Sequence, residues 1–171
     1  MKLKEGDIFS IPINEEKIGF GQIIYTASKY SFMIVVYALT SDQSRMPDIL
    51  EIVKSPRLLM GYTLDSKFYH KHWDIIEHYE DNLTDFEFPY FRLGSPSGEL
   101  FLIDHNGNKI RKCSNAEFNK LTYKTEIAPA TYENALKALN GIGNWKEHYD
   151  KIKIDNLLAG RHYIDSEFAN E

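Results

Sequence analysis

The opening of the chain, residues 6–25, is the feature that most constrains the fold. Its sequence, GDIFSIPINEEKIGFGQIIY, contains two apolar stretches joined by a polar turn at residues 14–17. This pattern predicts two antiparallel strands that form a hairpin. Gly19 and Gly21 flank Phe20, and glycine inside a strand indicates a bulge or a close approach to the backbone. The core residues that this hairpin is expected to supply are Phe9, Ile11 and Phe20.

More strands and a short helix are predicted after the hairpin. Residues 30–39, YSFMIVVYAL, form a nearly continuous apolar run, which is typical of a strand buried on both faces. A helix is predicted over residues 47–54 because proline is favoured at the first helical position. Residues 58–64 have a strand pattern again. The first third of the chain is therefore expected to form an antiparallel sheet.

A second hairpin and two helices are predicted further along the chain. Residues 98–104 and 109–112 flank Asn106-Gly107, a dipeptide that strongly indicates a tight hairpin turn. Ser114 and Glu117 have the spacing of a capping box and open a short helix. A second helix is predicted over residues 131–140, with Thr131 as its cap.

These elements predict an α+β fold. We expect an antiparallel, strongly curved sheet or partial barrel with helices packed at the C-terminal end. The 171 residues are interpreted as a single domain, β-rich over residues 3–112 and helical over residues 113–160.

Composition and charge exclude several classes of function. The net charge is −5 and the pI about 5.7, which disfavours nucleic acid as a partner because phosphates would be repelled. The single cysteine, Cys113, permits no internal disulfide, and no apolar run approaches the length of a membrane span. We therefore expect a cytoplasmic protein that binds neither nucleic acid nor membrane. The sequence contains none of the common phosphate-loop, dinucleotide, zinc-protease or serine-hydrolase motifs, and no cofactor is expected.

The segment from His72 to Phe91, HWDIIEHYEDNLTDFEFPYF, combines acids with aromatic residues and contains no lysine or arginine. One interpretation is a strand and loop whose aromatic side chains enter the core while the acids face water. The other is a surface that recognises a basic protein, on which acids raise the association rate and aromatic residues supply binding energy. The candidate contact residues on this second interpretation are Asp74, Glu77, Glu80, Asp81, Asp85 and Glu87.

A metal site and a reactive cysteine are weaker candidates. His70, His72 and Asp74 alternate, so that in a strand they would share one face, and imidazole and carboxylate groups are ligands for zinc and other divalent metals. No fourth ligand is evident. Cys113 follows Arg111 and Lys112, which would lower a thiol pKa, but the sequence offers no base to activate a nucleophile.

Several segments together resemble the immunity protein 26 family of bacterial polymorphic toxin systems. They are residues 6–13 (GDIFSIPI), residues 19–23 (GFGQI), the apolar strand over residues 32–37, Trp73 with Ile75-Ile76, and the aromatic cluster FPYF at residues 88–91. The resemblance covers roughly residues 3 to 112. A glycine that tends to follow the Trp-x-Ile segment in the family is replaced here by Glu77.

The resemblance implies a protein that binds and neutralises a cognate secreted toxin inside the producing cell. It implies no catalytic residues. Many such toxins are nucleases with basic surfaces, and an acidic inhibitor would match their charge. The resemblance therefore favours a non-enzymatic immunity protein whose partner is a toxin domain. Two alternatives remain open at this stage: a metal-dependent enzyme using His70, His72 and Asp74, and a nucleic-acid-binding small β-barrel.

Overall fold

The structure, a computed structural model, describes residues 2–168 and has a mixed α+β architecture. The strands form one six-stranded and one three-stranded sheet, which confirms the predicted fold class. The strands are β1 (Asp7–Pro12), β2 (Lys17–Thr26), β3 (Ser31–Asp42), β4 (Arg57–Leu64), β5 (Ile75–His78), β6 (Phe91–Gly94), β7 (Leu100–Ile103), β8 (Lys109–Lys112) and β9 (Glu126–Ile127).

Within residues 2–168, five α-helices and two short 3₁₀ helices accompany the sheets. The α-helices are α1 (Ile49–Lys54), α2 (Ser66–Tyr69), α3 (Asn115–Lys120), α4 (Pro129–Leu139) and α5 (Ile154–Phe168). The 3₁₀ helices are Leu83–Asp85 and Glu147–Ile152. Two helices begin at other residues than expected. Helix α1 begins at Ile49 and not at Pro47, with Asp48 as its cap in a capping box with Glu51, and α4 begins at Pro129, so that Thr131 lies inside the helix and does not cap it.

The six-stranded sheet has the order β5-β1-β2-β3-β4-β9. Its neighbours are antiparallel except for β4 and β9, which run parallel. The edge strands of this sheet are therefore β5 on one side and the two-residue strand β9 on the other. Across residues 2–168 neither sheet is closed or strongly curled, so the strongly curved or barrel-like part of the prediction is not confirmed.

The predicted hairpin is formed by β1 and β2, with Phe9 opposite Gly21 and Ile11 opposite Gly19. The pairing of β2 with β3 shifts register between Gly19 and Gly21, which is a bulge around Phe20. A Cβ added at Gly19 would lie 2.5 Å from Leu136 Cδ2, and one at Gly21 would lie 2.9 Å from the Val35 carbonyl oxygen. Both glycines therefore permit the close approach that the sequence predicts.

Contacts divide the chain into two compact units. Unit 1 comprises the chain up to Phe86 together with Glu126–Lys153, and unit 2 comprises Glu87–Thr125 together with the segment that begins at Ile154. In unit 1, α4 contributes Tyr132, Ala135 and Leu136 to the core that lies on one face of the six-stranded sheet. The sheet residues of this core include Phe9, Ile11, Ile23, Phe32, Ile34, Val36 and Leu59.

The central strand β3 is buried on both faces, as predicted. Every residue from Ser31 to Tyr37 is buried, so that side chains directed to either face are shielded from water. Polar groups at these positions therefore need partners inside the protein.

Unit 2 contains the three-stranded sheet β6-β7-β8 with helices α3 and α5. Leu102, Leu121 and Ile164 form its small apolar cluster. The predicted capping box is present, since Ser114 Oγ accepts from the Glu117 backbone N–H and Glu117 Oε2 accepts from the Ser114 backbone N–H. Helix α5 continues past Gly160, where the helical part was expected to end, because Ile164 is packed in this cluster.

Candidate functional site

The acidic segment, residues 74–85, lies at the β5 edge of unit 1 and in the loop that follows β5, residues 79–86, which we call the acidic loop. Asp74 precedes β5, Glu77 lies within it, and Glu80 and Asp81 follow it. Asp85 ends the 3₁₀ helix Leu83–Asp85. All five residues are exposed, and the segment between them contains no lysine or arginine. The structure therefore presents these five predicted carboxylates to solvent on one continuous stretch of chain.

Glu87, the sixth predicted contact residue, belongs to unit 2 and has partners there. Its Oε1 lies 2.9 Å from His162 Nε2 and 3.5 Å from Arg161 Nε. Arg161 also donates to the carbonyl oxygen of Phe88 and lies over the ring of Tyr90. Glu87 is therefore engaged by α5 and differs from the other five acids.

A buried polar cluster of Gln22, Tyr37 and Asn82 holds the acidic loop against the sheet. Gln22 Nε2 donates to the carbonyl oxygen of Tyr79 at 2.7 Å and to Asn82 Oδ1 at 3.0 Å. Asn82 Nδ2 donates to Gln22 Oε1 at 2.9 Å and to Tyr37 Oη at 3.2 Å. Gln22 and Tyr37 are fully buried and Asn82 nearly so. Because every polar side-chain atom of the cluster has a partner, the loop has a defined position.

Tyr37 is the part of this cluster that lies deepest in the sheet. Its hydroxyl donates to Gln22 Oε1 at 2.7 Å. Burial raises the pKa of Tyr37 to about 12, against the smaller lowering effects of Asn82 and Arg57. The hydroxyl therefore stays neutral at physiological pH and acts as a hydrogen-bond donor.

Arg57 fixes the far end of the acidic loop. Its guanidinium carbon lies 3.9 Å from the centre of the Phe86 ring, within the range of a cation–π contact. Its Nη1 donates to the carbonyl oxygen of Asp85 at 3.4 Å. Arg57 thus bonds the main chain of Asp85, and the side chain of Asp85 is exposed.

His78 fixes the near end of the loop. Its Nδ1 lies 3.0 Å from Asp7 Oδ1, and its Nε2 lies 3.5 Å from Glu80 Oε2. The backbone N–H of Lys4 donates to the other oxygen of Asp7. Asp7 is buried, whereas the Glu80 side chain is 73% exposed. The acidic loop is thus connected at both ends to groups of the sheet.

Three of the aromatic side chains between His72 and Phe91 are buried in the protein. Trp73, Phe86 and Phe91 are buried, and the Trp73 ring stacks on Phe9 with the ring centres 5.0 Å apart. These three rings therefore contribute to the cores, whereas Tyr79, Phe88 and Tyr90 are half-buried.

Trp73 also reaches a buried carboxylate. Its Nε1 donates to Glu133 Oε2 at 3.2 Å, and Lys67 and Lys137 lie 3.0 and 2.8 Å from the same carboxylate group. Burial alone would raise the pKa of Glu133, but the hydrogen bonds and charges of Lys137 and Lys67 outweigh it and hold the pKa below its ordinary value. The Glu133 carboxylate thus holds Trp73, the residue that directly precedes the acidic segment, in the core.

The alternative sites predicted from the sequence are not assembled. His70 and His72 lie in turns after α2 and not in a strand, so they do not share a strand face with Asp74. Over residues 2–168 no group of three histidine, cysteine or acidic side chains is placed to hold a metal ion. Cys113 is half-buried, and burial together with Glu117 raises its thiol pKa despite the nearby Arg111. The expected lowering of that pKa is therefore wrong.

Gln22 and Asn82 are the residues that the sequence reasoning missed. Gln22 interrupts the apolar run of β2, and a polar residue in a strand that is otherwise apolar is a recognisable signal of a buried hydrogen-bonded group. Asn82 gives no such signal, because it lies among acids and polar loop residues. Its role depends on a partner 60 positions away.

The fold and the site define a mixed α+β protein that presents an acidic loop on a fully hydrogen-bonded polar cluster. The family model of immunity protein 26 matches residues 4–97, which is more than half of the 171 residues. The chain therefore belongs to the immunity protein 26 family, as the resemblance predicts. No curated protein and no solved structure matches it. Family membership indicates an immunity protein, a class that is generally non-enzymatic and has a toxin protein as its partner.

No helix within residues 2–168 has both the length and the apolar character that are needed to cross a membrane. The match ends in the loop between β6 and β7, so the family assignment includes all of the acidic segment and all strands up to β6.

Proposed function

We propose that this protein binds a cognate secreted bacterial toxin and neutralises it in the cytoplasm of the producing cell. Membership of the immunity protein 26 family supports this role. The observation that carries the proposal is the exposed acidic segment, in which five carboxylates follow one another along the β5 edge without a cation between them. Such a surface matches a positively charged protein.

The acidic segment acts as the first contact with the toxin. Its carboxylates attract a basic surface over a distance of about one Debye length, roughly 8 Å at physiological salt, and orient the two proteins before they touch. Because the loop is held by Gln22, Tyr37 and Asn82, little conformational entropy is lost when it binds. The proposed contact residues in unit 1 are Asp74, Glu77, Glu80, Asp81 and Asp85.

Glu87 has a smaller role in this proposal than the other acids. Its carboxylate already faces Arg161 and His162, so a toxin cation would have to compete with them. We therefore place Glu87 at the margin of the contact.

A nuclease is the toxin class that fits this surface best. An enzyme that acts on nucleic acid needs a basic substrate-binding surface. An array of carboxylates would occupy that surface in place of phosphates and exclude the substrate. The protein then acts stoichiometrically, one inhibitor for each toxin, and performs no chemistry itself.

The proposal is tested with the product of the adjacent upstream gene. Co-expression of that product with this protein is expected to restore growth to cells that the product alone kills, and the two proteins are expected to co-purify. A product that is harmless, or a toxic product that neither binds this protein nor is neutralised by it, would show that the proposed function is wrong. A co-expressed variant of the toxin with an inactivated catalytic site separates binding from survival.

A further inference from the structure

Unit 1 contains an open cleft. All residues that line it lie between positions 17 and 55 and so precede the acidic segment in the sequence. The cleft is formed by the beginning of β2, the end of β3 and helix α1, and its volume is about 660 Å³. Lys17, Arg45 and Lys54 contribute its positive charges, and Leu39 and Pro47 contribute apolar wall. The cleft therefore combines cations with apolar surface.

The three cations of this cleft lack an acidic partner. Within residues 2–168, no carboxylate lies within 4.0 Å of the charged groups of Lys17, Arg45 or Lys54, whereas Lys67 and Lys137 are both paired. Their positive charge is therefore available to a ligand.

The two acids in the wall of the cleft offset part of this positive charge but form no ion pair with the three cations. Glu51 is used by the cap of α1, where its Oε2 accepts from the backbone N–H of Asp48 at 3.3 Å. Asp42 is the other acid in the wall. The cleft thus has three cations and two acids, one of which is engaged in the helix cap.

Two large apolar side chains are exposed on the same stretch of chain as part of the cleft wall. Met46 is 53% exposed and Leu50 is 42% exposed; neither lines the cleft, but each is next in the chain to a residue that does, Met46 to Arg45 and Pro47, and Leu50 to Glu51. Methionine in particular is frequent at surfaces that bind other proteins, because its side chain is flexible and polarisable.

We propose that this cleft is a second docking site and that it takes an acidic segment with apolar side chains from the same toxin. This inference rests on the proposed function. Lys17 lies on β2, Arg45 in the loop after β3, and Lys54 at the end of α1, and this spacing suits carboxylates spread along a peptide better than a single compact anion. In this proposal Leu39 and Pro47 in the wall contact the apolar side chains of that segment, and the exposed Met46 and Leu50 extend this contact outside the cleft. In this proposal the toxin contacts unit 1 at two sites, the negatively charged acidic segment and the cleft with its three cations.

The first test is a charge reversal with a matched control. In the double variant Arg45→Glu and Lys54→Glu, the dissociation constant of the complex is expected to rise roughly tenfold or more at low ionic strength. The control reverses two exposed lysines outside the cleft, Lys29→Glu and Lys151→Glu, and changes the net charge equally. Thermal unfolding checks that both double variants are folded. If the cleft variant is not folded, the double variant Arg45→Ser and Lys54→Ser is used in its place.

The outcomes distinguish this inference from the proposed function. Wild-type protein that fails to bind the toxin shows that the proposed function, and with it this occupant, is wrong. Wild-type binding with equal affinities for the cleft variant and its control overturns the cleft alone. A selective loss in the cleft variant supports it.

The second test identifies the segment that occupies the cleft. A photoreactive amino acid placed at position 50 is expected to cross-link a toxin peptide that is rich in aspartate and glutamate. The same residue placed at position 29 serves as the control. A cross-linked peptide rich in lysine and arginine, or equal cross-linking at both positions, would contradict the proposal.

Discussion

The side-chain amides of Gln22 and Asn82 are hydrogen-bonded to each other in both directions. Gln22 Nε2 lies 3.0 Å from Asn82 Oδ1, and Asn82 Nδ2 lies 2.9 Å from Gln22 Oε1. The pair joins the middle of the sheet to the loop that carries the exposed acids. The position of the acidic loop and the stability of the sheet are therefore coupled through Gln22 and Asn82, which are both uncharged.

The first prediction is that Asn82→Ala destabilises the protein and loosens the acidic loop. The change removes partners from the buried atoms of Gln22 and Tyr37, which we expect to lower the free energy of unfolding by about 1–3 kcal/mol. Urea unfolding measures that loss. Amide hydrogen exchange of residues 79–86 is expected to accelerate in the variant.

The control for this prediction is Asn144→Ala, because Asn144 is exposed. Its stability is expected to stay within about 0.5 kcal/mol of wild type. If Asn82→Ala is no less stable than this control, the polar cluster does not hold the loop.

The second prediction concerns Glu133 and acid pH. Since its folded pKa lies below its ordinary value of 4.5, its contribution to stability is complete above that value and is lost as the pH falls through the folded pKa. Glu133→Gln is expected to lower the free energy of unfolding by about 1–3 kcal/mol at neutral pH. The difference from wild type should shrink at acid pH, below the ordinary pKa.

Denaturant unfolding at a series of pH values measures this effect, with the exposed Glu147→Gln as the matched control. A difference between wild type and Glu133→Gln that is independent of pH would contradict the assigned ion pairs with Lys67 and Lys137.

The third prediction is that Gly21→Ala destabilises unit 1. An added Cβ would lie 2.7 Å from Phe9 Cε2 and 2.9 Å from the Val35 carbonyl oxygen, so the ring or the backbone has to move. We expect a loss of roughly 1–3 kcal/mol in thermal or chemical unfolding. Gly98→Ala is the control, because there the nearest atom would be 3.6 Å away. Equal stability of the two variants would show that the close contact at Gly21 is unimportant.

Local patterns were sufficient to predict much of the secondary structure. The β1–β2 hairpin, the buried strand β3 and the Ser114–Glu117 capping box depend on residues close together in the chain, and all three are present. The parallel pairing of β9 with β4 depends on contacts between residues about 64 positions apart. No periodicity in a two-residue strand indicates such a partner.

The candidate site was predictable only in part, for the same reason. Acids in a loop are expected to face water, and those from Asp74 to Asp85 do so. The engagement of Glu87 by His162 depends on helix α5, which starts far along the chain. The partners of Gln22 likewise come from a distant loop, so the sequence reveals a polar residue in a strand but does not identify what it binds.

The affinity of the complex at two ionic strengths tests the central claim most directly. The variant with Asp74, Glu77, Glu80 and Asp81 replaced by serine is compared with wild type and with a control of equal net charge. The control replaces four exposed acids elsewhere by serine: Glu15, Glu16, Glu147 and Asp155.

We predict that the first variant binds the toxin roughly tenfold or more weakly at low ionic strength, and that this difference narrows at high ionic strength because salt screens the exposed charges. The control variant is expected to lose much less affinity. Equal affinities of the two variants at both ionic strengths would contradict the assignment of the acidic segment as the toxin-binding surface.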